Sequence, residues 1–98
     1  MKTDNLVRIE HFCEHNKVEF SFINSLQEFG LINVVVVDDG TYLPVDDLRE
    51  IEKLVHLHYE LGINIEGIDV ISNLLNQIAN LQEELRAAKN KLKLSGMD

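Results

Sequence analysis

The chain has 98 residues, with 9 basic against 17 acidic side chains and a net charge of −8 at pH 7. That length fits one small domain, and the negative balance works against binding nucleic acid or an anionic membrane, where cations must replace counterions. The single cysteine, Cys13, excludes an intrachain disulfide framework and a four-cysteine zinc site.

No apolar stretch of signal-peptide or membrane-span length follows Met1. With its lone cysteine the chain reads as intracellular, and cytoplasmic in particular. Its acidity favours a basic partner; the plainer alternative is that the carboxylates only solubilise the surface.

Leu6 to Ile9 is a short apolar-rich lead-in. Ile9, Phe12 and Cys13 then recur at helical spacing, which predicts a short helix over residues 9–15, with Asn16-Lys17 as a turn. Phe22, Ile23, Leu26 and Phe29 form one face of a second helix from Glu19, and Gly30 is suited to end it. Two short helices joined by a tight turn make a helix-turn-helix candidate.

Residues 31–37 (LINVVVV) are rich in β-branched side chains and predict a strand. Asp39-Gly40 suits a tight hairpin turn, and Thr41-Tyr42-Leu43 returns as the second strand. A hairpin placed there is a wing. Pro44 is suited to open the next helix, with Asp46, Asp47 and Glu50 near the positive pole of its dipole. Leu48, Ile51, Leu54, Val55 and Leu61 give its apolar stripe, and Gly62 stops it.

Asn64 is a candidate N-cap for a last helix running from Ile65 to about Lys93. At ~1.5 Å per residue it would reach roughly 43 Å, too long to pack wholly within so small a domain. Ile71, Leu74, Ile78, Leu81, Leu85, Ala88 and Leu92 alternate in steps of 3 and 4, the a and d seam of a coiled coil. Arg86, Lys89, Lys91 and Lys93 gather near the negative pole. The fold class is therefore mainly α. Residues 1–63 form a winged helix-turn-helix with a small β-hairpin wing, and residues 64–98 a long coiled-coil helix that predicts a homodimer.

Chemistry finds little support. His11 and His15 are i, i+4 on one helix face, but no HExxH pattern and no third ligand accompany them. His56 and His58 diverge around a helix and read as half-buried positions. Ser21, Ser25, Ser72 and Ser95 lack a nucleophile elbow, and Cys13 beside Phe12 reads as a small buried hydrophobe. There is no glycine-rich phosphate loop. The chain is read as a non-enzyme with no cofactor and no metal.

A winged helix-turn-helix that reads DNA needs basic side chains on its second helix and wing. Residues 18–48 contain no lysine or arginine but hold Glu19, Glu28, Asp38, Asp39, Asp46 and Asp47. Each phosphate contact requires a cation, so nucleic acid is an improbable partner. The topology of a DNA reader is present with its electrostatics inverted, and topology alone does not establish DNA binding.

The order of elements, with Arg8-Ile9-Glu10-His11-Phe12-Cys13, Ser21 to Ile32 (SFINSLQEFGLI), the hairpin, Asp47-Leu48 and a long coil, resembles the MerR-like superfamily. Within it the chain is most similar to the chaperone-modulator CbpM family. That likeness rests on Glu10-His11-Phe12-Cys13, Gly30-Leu31-Ile32, Leu57-His58-Tyr59-Glu60-Leu61, Ile63-Asn64-Ile65-Glu66-Gly67-Ile68 and the coil segment Leu81-Gln82-Glu83-Glu84-Leu85. It covers nearly the whole chain. Where DNA-reading relatives carry an Arg-Tyr pair in the second helix, this chain has Asn24-Ser25-Leu26-Gln27.

The resemblance implies a modulator that binds and inhibits the J-domain of a DnaJ-like co-chaperone, CbpA, by covering its basic helical surface. On that reading Asp38, Asp39, Asp46, Asp47 and Glu50 are the candidate partner-facing charges. Phe20, Tyr42 and Leu43 are the candidate apolar anchors. A solvated surface charge is the bland alternative for each acid, and a structural wing residue for Tyr42. The competing readings are a MerR-like DNA-binding regulator and an interaction module for some other basic partner. MerR relatives pair their long helices antiparallel; Glu84 and Lys89 fit either orientation.

Overall fold

The structure is a computed structural model and describes residues 5–96. The outer ends of the two sequence-derived regions, residues 1–4 and 97–98, lie outside the described residues. The order is β1 (Leu6–Arg8), α1 (Ile9–Asn16), α2 (Phe20–Glu28), β2 (Val35–Val37), β3 (Gly40–Pro44), a 3-10 turn (Val45–Asp47), α3 (Leu48–Tyr59) and α4 (Ile65–Leu94). The chain is mainly helical, with a small antiparallel sheet and a long C-terminal helix, as a MerR-like winged helix-turn-helix requires.

The sheet has three strands, not two. β3 is central, with β1 on one side and β2 on the other. The apolar lead-in pairs Val7 with Leu43 and Arg8 with Tyr42. Three residues are too few to show a period of two, so this strand exists only through its long-range partner.

Three expected boundaries move. The strand predicted over residues 31–37 begins only at Val35. The preceding residues finish α2 instead. Gly30 takes φ +73°, its N–H donates to the Gln27 carbonyl at 2.9 Å, and the Leu31 N–H reaches Leu26 at 2.9 Å. This is the paired bonding of a Schellman cap, which outweighs the β preference of Leu31 and Ile32. The hairpin turn is Asp38-Asp39, because Gly40 already pairs with Val37. Pro44 does not open α3; it pairs with Leu6 as the last residue of β3, and a 3-10 turn follows before the helix starts at Leu48. β2 reaches only to Tyr42, so at Pro44 the central strand has a partner on one side alone, and a proline with extended backbone can end it there.

The core gathers Ile9 and Phe12 from α1, Phe22, Ile23 and Leu26 from α2, Leu43 from β3, Ile51 and Leu54 from α3, and Ile68 from α4. Ile68 is the single buried residue of α4. Its first turn is capped as expected, the Asn64 side chain accepting from the Gly67 N–H at 2.8 Å. From Asn73 onward every described residue is exposed. The result is an elongated body of 57 × 37 × 21 Å.

Candidate protein-interaction surfaces

At the wing tip, the strand pairing of β1 with β3 brings Arg8 across to the Asp38-Asp39 turn. Arg8 donates to the Asp39 carboxylate and to its carbonyl, each at 3.3 Å. Tyr42 donates its hydroxyl to Asp39 Oδ1 at 2.8 Å, and Arg8 stands 5.3 Å from the Tyr42 ring centroid. The Asp39 hydrogen bond, with burial second, raises the Tyr42 phenol above its ordinary value. The charge of Asp39 is thus already partnered within the chain.

Two candidate anchors change role. Tyr42 is 4% exposed and Leu43 is fully buried, so neither offers a face to a partner. Tyr42 is held inward by Asp39, and Leu43 points from the central strand into the core. Phe20 differs from both: it opens α2 and is 57% exposed. Asp38, Asp46 and Glu50 are exposed and Asp47 is half-buried. Asp47 and Glu50 face a shallow groove floored by Ile32, Ile51 and Leu54, with Ser72 and Asn76 of α4 opposite. Lys53 lies 3.3 Å from Glu50, a solvent-exposed pair of small energetic consequence.

The long helix presents a second surface. Leu74, Ile78, Leu81, Leu85 and Leu92 are each about half exposed or more, Ala88 is exposed and Ile71 is half-buried. Among the described residues nothing covers this stripe beyond Ile71.

A third surface lies at the α1–α2 corner. Glu10, Cys13, Glu14, Val18 and Phe20 line an open groove of about 660 Å³. The spacing of Glu10, Cys13 and Glu14 puts them on one face of α1.

No group of three or more His, Cys, Asp or Glu side chains that could hold a metal occurs among the described residues. The rings of His11 and His15 stand 6.1 Å apart and nearly parallel. Cys13 is half-buried, not fully buried as expected, and burial, then the neighbouring Glu10, pushes its thiol up, against the thiolate a nucleophile needs. His56 is exposed, contrary to expectation, whereas His58 is half-buried against Phe22. No described helix is long and apolar enough to cross a membrane.

Sequence reasoning missed Arg8 and Tyr59. Arg8 reaches the wing only through the β1–β3 pairing, which three residues of sequence do not announce. Tyr59 satisfies the first free donor of α2, its hydroxyl accepting from the Glu19 N–H at 3.0 Å. Nothing local in the sequence signals that contact, which joins positions 40 residues apart.

The helix pair, the wing and the long last helix now stand in one frame, and a family model described as MerR HTH family regulatory protein matches residues 7–90. The chain belongs to the MerR helix-turn-helix family. Among curated proteins, this MerR-family chain is similar to the chaperone modulatory proteins CbpM of Escherichia coli O1:K1 / APEC and of Escherichia coli O45:K1 (strain S88 / ExPEC). Each is 28% identical over 86 residues, covering 86% of this chain and 84% of the relative. No solved structure matches. The MerR family and these relatives are named as regulators and modulators, not as enzymes. The recognition helix Phe20–Glu28 of this MerR-family chain carries neither lysine nor arginine.

Proposed function

We propose that the chain is a non-catalytic, cytoplasmic chaperone modulator that binds the J-domain of a DnaJ-like, CbpA-type co-chaperone through its acidic surface and inhibits it. The observation that carries the reading is the uninterrupted absence of basic residues from Val18 to Leu48 in a helix-turn-helix fold. Phosphate recognition is disfavoured there, and a basic protein surface is matched. The name borne by the relatives supplies the kind of partner. Asp38, Asp46, Asp47 and Glu50 are the proposed partner-facing charges, and Asp39 contributes through the wing it orders. The α4 seam from Ile71 to Leu92 is the proposed homodimer interface, since a monomer leaves that stripe in water.

Calorimetric titration of the full chain with the isolated J-domain tests this. Binding that weakens steeply with salt, and by about tenfold or more in the D46K/D47K double variant, is the expected result. Unchanged affinity in that variant removes these acids from the interface, and no binding at low salt removes the reading.

The description of the matching family favours a second reading, a DNA-binding regulator. A mobility shift on duplex DNA at low salt would support it. Its absence would leave only protein partners.

A further inference from the structure

We infer that the groove between α1 and α2 is a docking site for a basic amphipathic helix of a protein partner. This deepens the reading of the chain as a protein-binding module and rests on it only for the class of partner.

The groove combines an apolar floor with a carboxylate rim. Val18 is buried beneath it and Cys13 is half-buried, so the floor carries no charge at neutral pH. Phe20 forms one wall and keeps 57% of its surface in water. Among the described residues no element closes over that ring, although it stands at the start of a helix whose next apolar residues, Phe22 and Ile23, are buried. Large rings ringed by polar groups are the side chains that dominate interfaces once water is excluded from them.

The rim selects the charge of the occupant. Glu10 reaches Arg8 only at 3.9 Å, with both side chains largely in solvent. Glu14 has no ion pair among the described residues. Lys17, in the α1–α2 connector, is not among the lining residues. Two carboxylates one helical turn apart lie ~6 Å from each other along the α1 axis. A facing helix with Lys or Arg at i and i+4 presents cations at the same interval, with the apolar side chain between them directed onto Phe20, Val18 and Cys13. A polynucleotide has the wrong charge for this rim. An extended basic strand would space alternate side chains at roughly 7 Å but supplies no apolar stripe on the same face.

The test uses the isotope-labelled full chain and a synthetic helical peptide whose leucine stripe is flanked by lysines at i and i+4. A scrambled peptide of the same composition is the control. The expected result is amide shift changes centred on residues 10–20, binding about tenfold weaker for the scrambled peptide, and a loss of about tenfold in F20A. The E10K/E14K variant should lose more. All three positions are exposed or at a rim, so circular dichroism should report an unchanged fold. Equal binding of the scrambled peptide, shifts confined to the wing or α4, or unchanged affinity in both variants would each overturn the inference. The J-domain titrated in parallel judges the chaperone reading separately. A chain that takes the peptide in the groove but no J-domain keeps the docking site and loses that reading.

Discussion

Phe22 of α2 and His58 of α3 stack with ring centroids 4.4 Å apart and planes 14° from parallel. Tyr59 meets both edge-on, 5.5 Å from Phe22 and 4.8 Å from His58. The Nδ1 of His58 stands 2.9 Å from the Ile63 carbonyl oxygen, so in this arrangement Nδ1 carries a proton and donates it. One imidazole therefore joins the recognition helix to the turn that launches α4.

Replacing His58 by alanine removes a stack worth roughly 0.5–1.5 kcal/mol and a hydrogen bond of similar size. Urea unfolding should show a loss of about 1–2 kcal/mol. His58→Phe should recover the stacking part alone. Equal stability of the alanine variant and the parent would mean the joint carries no strength.

Lys17 closes α1 with φ 56°, the one non-glycine positive φ among the described residues. The left-handed conformation costs an L-residue about 1–2 kcal/mol, and glycine avoids most of that at a price in unfolded-state entropy. Lys17→Gly should raise stability by up to about 1 kcal/mol, read as a thermal midpoint several degrees higher. A lower midpoint would show that the Lys17 side chain contributes more than its backbone costs.

The α4 start contains two coupled positions. Asn64→Ala should cost about 1 kcal/mol through loss of the cap. Gly67→Ala would ordinarily favour a helix. Here an added Cβ would lie 2.8 Å from Ile63 Cγ2 and 3.1 Å from the capping oxygen of Asn64. The expected result is a lower thermal midpoint for both variants; a rise in Gly67→Ala would mean that Ile63 yields freely.

The phenol of Tyr42 should titrate above the ordinary value of 10.0 because Asp39 holds its proton. Its folded-state value exceeds the unfolded one, so the stabilisation is whole below pH of about 10 and is lost as pH rises through the folded value. Ultraviolet titration of the two tyrosines should show one late component, absent in Tyr42→Phe and shifted down in Asp39→Ala. A Tyr42 transition unmoved by Asp39→Ala would contradict the hydrogen bond.

Leu81→Asp places a charge in the centre of the exposed seam. Light scattering should then report a monomer where the parent reports a dimer, with a thermal midpoint that no longer depends on concentration. A parent that is monomeric at high concentration would remove the seam as a self-association surface.

The features readable from the sequence were those whose signal is local and repeats. The heptad steps from Ile71 to Leu92, the Phe22-Ile23-Leu26 face and the Asn64 cap need only neighbours along the chain. β1 and the Pro44 pairing were not readable, because each is fixed by a strand partner far off in sequence, whereas the turn moved by one residue only, since Gly40 pairs with Val37. The same cause limited the site. The scarcity of cations from Val18 to Leu48 was plain, yet Arg8 crosses from β1 to neutralise Asp39. Tyr42 and Leu43 lie on opposite faces of β3, and both are buried because the core covers Leu43 while Arg8 and Asp39 pack against Tyr42, contacts that only the unforeseen β1 pairing and the turn supply. The likeness to the CbpM family depends on the order of many weak signals, and its Leu57-His58-Tyr59 segment is in part the aromatic joint between helices.

Ile68 is the one fully buried residue of α4, with Ile65 packed beside it against the core, and residues 73 to 94 of that helix are exposed. A helix of that length without a packed face is marginal in water and opens often. On the proposed pairing through the seam, a second copy would cover the stripe and hold residues 73 to 94 helical, so their protection from protease should rise with protein concentration.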